Sequence, residues 1–427
     1  MSLTEQMTAL AKQAKIASRQ LTTLTRQQKD ACLLAMADAI NSAAPAILAA
    51  NAADLKIASG MGLSSAMLER LELNEKKIAG MADGIREVAG LPDPVGKLLD
   101  DRVRPNGLKL RKITAPLGVV VIIYESRPNV TADAASLCFK AGSATILRGG
   151  KEALNSNRMI ADVMVRAASK VLPNFPEHAI QVVPTTDRAA IPELLSLTSY
   201  IDLCMPRGGE GLIRAVTECS KVPVIKHYKG VCHVYVDGAA DEKMGVEIVV
   251  NAKCQRPSVC NAAETLLVDK SIAGTFLPAV YPGLAAHNVE LRADASALGI
   301  LQSKLNNPQT TIRAACEPDW ETEYNDYILN VKIVDGINDA IAHINTHGSG
   351  HSDVIVTADE TLANKFLQEV DSAAVYWNAS TRFTDGGEFG MGAEIGISTD
   401  KIGARGPMGL DELVTYKWHC LGAGQVR

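Results

Sequence analysis

The stretch 119–148, VVVIIYESRPNVTADAASLCFKAGSATILR, decides the fold. Its first six residues are apolar without alternation, which implies a strand buried on both faces. Pro128 and Asn129 then break the strand, a helix is predicted over Thr131–Ala141, Gly142 ends it, and ATIL (144–147) reads as a second buried strand. The pattern continues with a helix over Asn155–Val171, strand AIQVV (179–183), helix RAAIPELLSL (188–197), strand YIDLCM (200–205), helix Glu210–Cys219 and strand VPVIK (222–226). Apolar strands alternating with helices of this length are the mark of βαβ units in a parallel sheet.

A second α/β run follows: a helix over Asp241–Lys253, strand ETLLV (264–268), helix IAGTFLPAV (272–280), strand ILNVKIV (328–334), helix INDAIAHIN (337–345), strand SDVIVT (352–357), helix ETLANKFLQEV (360–370) and strand AAVYW (373–377). Upstream, Thr4 to about Gly90 carries apolar residues at three- and four-residue spacing and reads as several amphipathic helices. Between Pro94 and Gly118, alternating basic and apolar residues flank Asn106-Gly107, a hairpin signal, and predict a protruding β-arm. Downstream, the Gly-rich tract 384–412 holds too little apolar content for an element, and TYKWH (415–419) reads as a terminal strand. So long an irregular segment points to function or to a crossing between domains.

Composition narrows the function. At 427 residues, 47% hydrophobic, the chain is long enough for two or three globular units. A net charge of −5 with scattered Lys and Arg gives no basic stripe for nucleic acid. Nine cysteines at irregular spacing, without a CxxC pair, imply a reducing compartment. The first residues lack a signal-peptide pattern and no stretch is apolar enough for a membrane span, so a cytoplasmic, non-membrane protein is expected. No metal-ligand pattern stands out.

Chemistry concentrates at NAKCQRPSVCNAAE (251–264). Cys254 falls on the apolar face of a helix, as a buried structural thiol does. Cys260 falls in a turn, where backbone N–H groups can lower a thiol pKa or hold an oxyanion. His227, His233, His347 and His351 occupy loop or strand-edge positions, and sequence pairs none of them with Cys260. Two strand-to-helix turns carry a cation beside paired glycines: Arg148, Gly149, Gly150 and Lys151, then Arg207, Gly208 and Gly209. Neither matches GxGxxG, yet two such turns in one sheet favour a phosphate-bearing cofactor. Asn129, after a strand's carboxyl end, could donate toward a reaction centre or cap the following helix.

PLGVVVIIYESRPNVTADAASLC, ILRGGKEA, MPRGGEGL, VCHVYVD, NAKCQRPSVCNAAETLLV, GSGHSDVIVT and NASTRFTDGGEFGMGAEIGISTDK together resemble the gamma-glutamyl phosphate reductase family of the aldehyde dehydrogenase superfamily, over nearly the whole chain. The resemblance implies an aldehyde dehydrogenase-like α/β fold, with two parallel-sheet α/β domains and a β-arm for oligomerisation. The NADP-binding domain is expected over 1–103 and 117–236, the catalytic domain over 237–404, and the arm over 104–116 and 405–427. The implied activity is NADPH-dependent reduction of L-glutamyl 5-phosphate to L-glutamate 5-semialdehyde, with release of phosphate through a cysteine thioester, in the second step of proline biosynthesis from glutamate.

Residue by residue, Cys260 matches the nucleophile and Asn129 the amide that joins the Cys260 backbone N–H around the oxyanion. Arg148 takes the place of an adenosine-binding lysine and could reach the 2′-phosphate of NADP. Glu323 aligns with a glutamate that binds the nicotinamide ribose, although Asn325 and Asp326 depart from the family pattern. Ser380, Thr381 and Arg382 are candidates for the substrate carboxylate, with Arg256 or Lys226 for the phosphate. Oxidising relatives carry a glutamate base where IKHYKG stands here, offering His227 or nothing, and the lack of that base suits an enzyme that must not hydrolyse its thioester. The competing readings are a CoA-acylating or oxidising aldehyde dehydrogenase, a cysteine acyltransferase or hydrolase without nicotinamide, and an inactive scaffold. A homo-oligomer, dimer or tetramer, and functional coupling to glutamate 5-kinase are the expected partnerships.

Overall fold

The computed structural model describes residues 1–63, 65–305 and 308–427. The chain forms two compact units: Met1–Lys226 with Gly390–Gly396 and Met408–Arg427, and His227–Phe389 with Ile397–Pro407.

The first unit opens with helices α1 (Leu3–Leu21), α2 (Arg26–Ser42), α3 (Ala44–Ala58), α4 (Ser65–Leu71) and α5 (Glu75–Gly90). Ser2 with Glu5 and Thr25 with Gln28 make reciprocal capping boxes, which satisfy two orphan donors at each helix start. On α1 the buried residues Met7, Leu10, Ala11, Ala14, Ala17 and Leu21 form one stripe, as the sequence spacing requires. Next come β1 (Leu98–Val103), β2 (Lys109–Pro116), β3 (Val119–Tyr124), α6 (Asn129–Lys140), β4 (Ala144–Arg148), α7 (Leu154–Val171), β5 (Ile180–Val182), α8 (Ala190–Leu195), β6 (Leu203–Arg207) and α9 (Glu210–Cys219). The parallel sheet has the order β5-β4-β3-β6, and every residue of β3 is buried. Because the chain runs outward from β3 to β5 and then returns to the other side of β3, strand order reverses beside β3. Ligands of open α/β sheets bind at such a reversal, beyond the strands' carboxyl ends.

The second unit contains β7 (Cys232–Val236), α10 (Glu242–Cys254), β8 (Ala263–Asp269), α11 (Ala273–Ala285), β9 (Glu290–Ala293), α12 (Ala295–Lys304), β10 (Ile312–Ala314), β11 (Ile328–Val334), α13 (Ile337–His347), β12 (Ser352–Val356), α14 (Glu360–Glu369) and β13 (Ala374–Trp377). Its sheet, β10-β9-β11-β8-β7-β12-β13, is parallel throughout. The core on one face joins Val234, Leu266, Val331 and Val354 to Phe276, Val280 and Leu284 of α11. The tail adds β14 (Gly396–Ser398), β15 (Gly406–Met408) and β16 (Val414–Leu421).

Several expectations are corrected. VPVIK forms no strand: only Val224 bridges Cys204, since Pro223 lacks the donor a ladder needs. The strand Cys232–Val236, which the 117–236 boundary placed in the first domain, pairs with β8 and β12 of the second sheet. Leu98–Val103, grouped with 1–103, pairs with β2, and β16 adds to β2's other side, giving a three-stranded antiparallel arm. The arm's turn holds Asn106 and Gly107, with Gly107 at φ +83°. The Gly-rich tract contains the short strands β14 and β15.

Candidate active site

In the first unit, β3, β4 and β6 end in Tyr124, Arg148 and Arg207, which brings the two Gly-rich turns to one sheet edge. Close packing explains the glycines there: a Cβ on Gly149 would lie 2.0 Å from Asn157 Nδ2, and one on Gly208 would lie 2.6 Å from the Glu125 carboxyl carbon. A Cβ on Gly150 would lie 1.9 Å from Glu152 Oε1. Gly209 is the N-cap of α9, without a side-chain cap.

The Arg148 guanidinium donates from Nη1 to Gly149 O at 3.0 Å and from Nη2 to Thr186 O at 3.2 Å. Its Nε is buried without a partner, and burial pulls its pKa down. A charged group with an unmet donor at a sheet's carboxyl edge fits a cofactor phosphate. Lys151, on a 3₁₀ turn, is exposed. Asn129 is not the cap of α6, which is Pro128; its amide donates to the Asp133 carboxylate at 3.1 Å, and burial pushes Asp133 up to about 6.

In the second unit, α10 ends at Cys254, buried as expected, its thiol pushed up to about 11 by burial. Cys260 lies half-buried in the turn between α10 and β8. Lys253 and Glu264 brace the two sides of that turn with a fully buried ion pair at 2.7 Å. From beneath, Cys232 Sγ donates to Cys260 O at 3.3 Å, and a Cβ on Gly230 would lie 1.9 Å from the same oxygen.

Arg382 spans the turn: its Nε donates to Gln255 Oε1 at 2.8 Å and its Nη1 to Asn261 Oδ1. Burial lowers the Arg382 pKa first and the nearby Arg256 charge second, while Cys260 acts in the opposite direction. Arg256 and Cys260 are thus both within electrostatic reach of the Arg382 guanidinium. Asn261 Nδ2 in turn donates to Thr384 O at 2.9 Å.

Ser380 and Thr381 immediately precede Arg382, but their hydroxyls are turned to backbone. Ser380 Oγ accepts from Arg382 N at 3.3 Å, and Thr381 Oγ1 donates to Asn261 O at 2.7 Å. Glu323 lies in the loop before β11, where its charge reaches Glu264, itself pushed up to about 7 mainly by burial. His351 is buried, held down near 3 by burial, and bonds Ser352 Oγ at 2.8 Å. His233 pairs with Asp353 at 2.8 Å, and His227 Nδ1 meets Ile397 O at 2.8 Å. Sequence reasoning missed Cys232, Gly230, Asn261 and the Lys253–Glu264 brace, all of which lie within or beside quoted motifs. Among the described residues there is no group of three or more His, Cys, Asp or Glu that could hold a metal, and no single helix is long and apolar enough to cross a membrane.

The Aldehyde dehydrogenase family matches residues 2–317. A gamma-glutamyl phosphate reductase of Opitutus terrae is 53% identical over 426 residues, covering 100% of this chain and 99% of its own. The chain belongs to the gamma-glutamyl phosphate reductases. The crystal structure of the gamma-glutamyl phosphate reductase of Thermotoga maritima agrees with this reductase at a TM-score of 0.95 and 42% identity, covering 99% of this chain and 100% of that one. An acetylating aldehyde dehydrogenase of Geobacillus thermoglucosidasius, 19% identical with a TM-score of 0.67 over 100% of this chain and 98% of its own, shares the fold. The aldehyde dehydrogenase-like fold is thus established for this reductase, and the CoA-acylating and oxidising alternatives are not favoured.

Proposed function

We propose that this gamma-glutamyl phosphate reductase carries out its step of proline biosynthesis through a thioester on Cys260, using NADPH. The observation that carries the reading is the Arg382 guanidinium, bonded to Gln255 and Asn261 on either side of the Cys260 turn, with Arg256 beside it.

Two guanidinium groups next to a half-exposed thiol favour its thiolate and attract a phosphoryl dianion. The Cys260 thiolate attacks the acyl carbon of L-glutamyl 5-phosphate. The carbonyl electrons move to oxygen, where the Cys260 backbone N–H and the Asn129 amide are assigned as donors, each worth about 3 kcal/mol of barrier. Collapse of the adduct expels phosphate, whose charge Arg256 and Arg382 receive. The nicotinamide cofactor, when bound, supplies the hydride that takes the thioester to the aldehyde level. Breaking the C–S bond then returns the Cys260 thiolate and releases L-glutamate 5-semialdehyde. Thr381 spends its hydroxyl proton on Asn261 O, whereas Ser380 Oγ only accepts and keeps its O–H for the substrate's α-carboxylate, and Arg382 is assigned to the phosphate with Arg256.

The cofactor reading rests on Arg148, Gly149 and Gly150 at the end of β4 and on Arg207, Gly208 and Gly209 at the end of β6. Glu323 is assigned to the nicotinamide ribose. The three-stranded arm is assigned to self-association.

Electrophile labelling tests the nucleophile. Iodoacetamide should modify Cys260 at least tenfold faster than any other thiol, and L-glutamyl 5-phosphate should protect it. Arg382→Gln should slow the labelling. Equal labelling of Cys260 and exposed Cys316 would count against the assignment.

A further inference from the structure

Arg148 ends β4, the second strand of the first βαβ unit. In doubly wound sheets that position reads the 2′ substituent of the cofactor's adenosine ribose. The Arg148 side chain does not stand alone there. Its Nη2 bonds Thr186 O, in the loop between β5 and α8, and two residues further along the same loop stands Arg188. Arg188 is close enough that its charge helps to pull down the pKa of Arg148.

The acids nearby are committed elsewhere. Asp187, next to Arg188, turns its carboxylate to Ala189 N at 2.9 Å. Glu152, whose charge also reaches Arg148, accepts from Ser126 Oγ. Among the described residues Arg188 has no carboxylate partner, and it is exposed. Glu152 offsets part of the Arg148 charge, but Arg188 has no such counter-ion, and a dianion bound between the two guanidinium groups would engage both.

Resting on the NADPH reading above, we infer that Arg188 is the second arm of a clamp for the 2′-phosphate of the cofactor, set by the 184–189 loop opposite Arg148, and that it helps to determine NADPH preference over NADH. The two cations have different tasks. Arg148 is anchored by two carbonyls and supplies a fixed charge with one unmet N–H. Arg188 reaches in from an exposed loop and closes on the phosphate.

The test uses the full-length protein and isolates the phosphate with the fragments 2′,5′-ADP and 5′-AMP, their binding measured by calorimetry, alongside NADPH and NADH. Wild type should bind 2′,5′-ADP at least tenfold tighter than 5′-AMP, with the difference shrinking as salt rises. Arg188→Ala should weaken 2′,5′-ADP and NADPH by about tenfold while leaving 5′-AMP and NADH within twofold. Arg188→Lys should recover part of the loss. Since Arg188 is exposed, these variants should fold normally, which an unchanged 5′-AMP affinity would verify. If wild type does not distinguish the two fragments, the NADPH reading itself fails. If it does, and Arg148→Ala abolishes the distinction while Arg188→Ala leaves it intact, the cofactor reading survives and the clamp does not. A distinction that survives both substitutions likewise overturns the clamp.

Discussion

Single residues in this reductase carry burdens that their neighbours in sequence do not reveal. His343 is buried against His233, His347, Lys332 and Trp320, and burial, with the charges of His233, Lys332 and His347, holds its pKa near 2. The folded protein therefore keeps His343 neutral at pH values where the unfolded chain takes a proton at about 6.5. Between those limits the unfolded state binds more protons, so stability falls as pH drops below about 6.5. From pH 7.5 to 5.0 the loss should be about 2 kcal/mol from this one group. His343→Phe should reduce that pH dependence, visible as a smaller shift of the urea midpoint between the two pH values; an identical shift would contradict the burial argument. The sequence placed Cys260, Arg148, Arg256 and Arg382 among the candidates because their local chemistry is unusual. It left Arg188 and Asn261 unassigned because their partners lie far along the chain: Arg382 stands 121 positions from Asn261.

At the scale of elements, the Cys260 turn is held by two supports, and each can be tested. The buried Lys253–Glu264 pair closes its base. Removing one member should cost about 3–5 kcal/mol by stranding the other, whereas Lys253→Met with Glu264→Leu should cost less than either single change. Denaturation of the two single variants and the double one measures this, and additive losses would show that the pair is not coupled. From beneath, Gly230→Ala places a Cβ 1.9 Å from Cys260 O. Displacing the turn should lower kcat by about a hundredfold, while the far-ultraviolet circular dichroism stays unchanged; unaltered kcat would mean that the turn yields at no cost. Most strands and helices were legible because runs such as ILNVKIV, Ile328–Val334, switch cleanly from the helical period. β7 was passed over because His233 interrupts its apolar run, and the fold accommodates that imidazole only through Asp353, 120 residues away. β9 and β10 are short and carry Glu290, Arg292 and Arg313, so their strand character comes from pairing with β11 and with each other.

At the scale of the whole molecule, the candidate chemistry is distributed over two units, cations at a sheet edge in the first and the Cys260 turn in the second. The arm leaves Leu98, Tyr416, Trp418 and Leu421 exposed on its two edge strands. Exposed edge strands with apolar side chains either pair with another chain or aggregate. Ending the chain after Leu413, which removes β16, should convert an oligomer to smaller species by light scattering, and an unchanged mass would remove the arm from the assembly. The most direct test of the central claim runs the reaction backwards, mixing the protein with L-glutamate 5-semialdehyde, phosphate and NADP, beside Cys260→Ala. NADPH formation that requires phosphate and disappears in the variant is the predicted result. NADPH formation without phosphate, or its persistence in Cys260→Ala, would contradict an acyl phosphate exchanged through a Cys260 thioester.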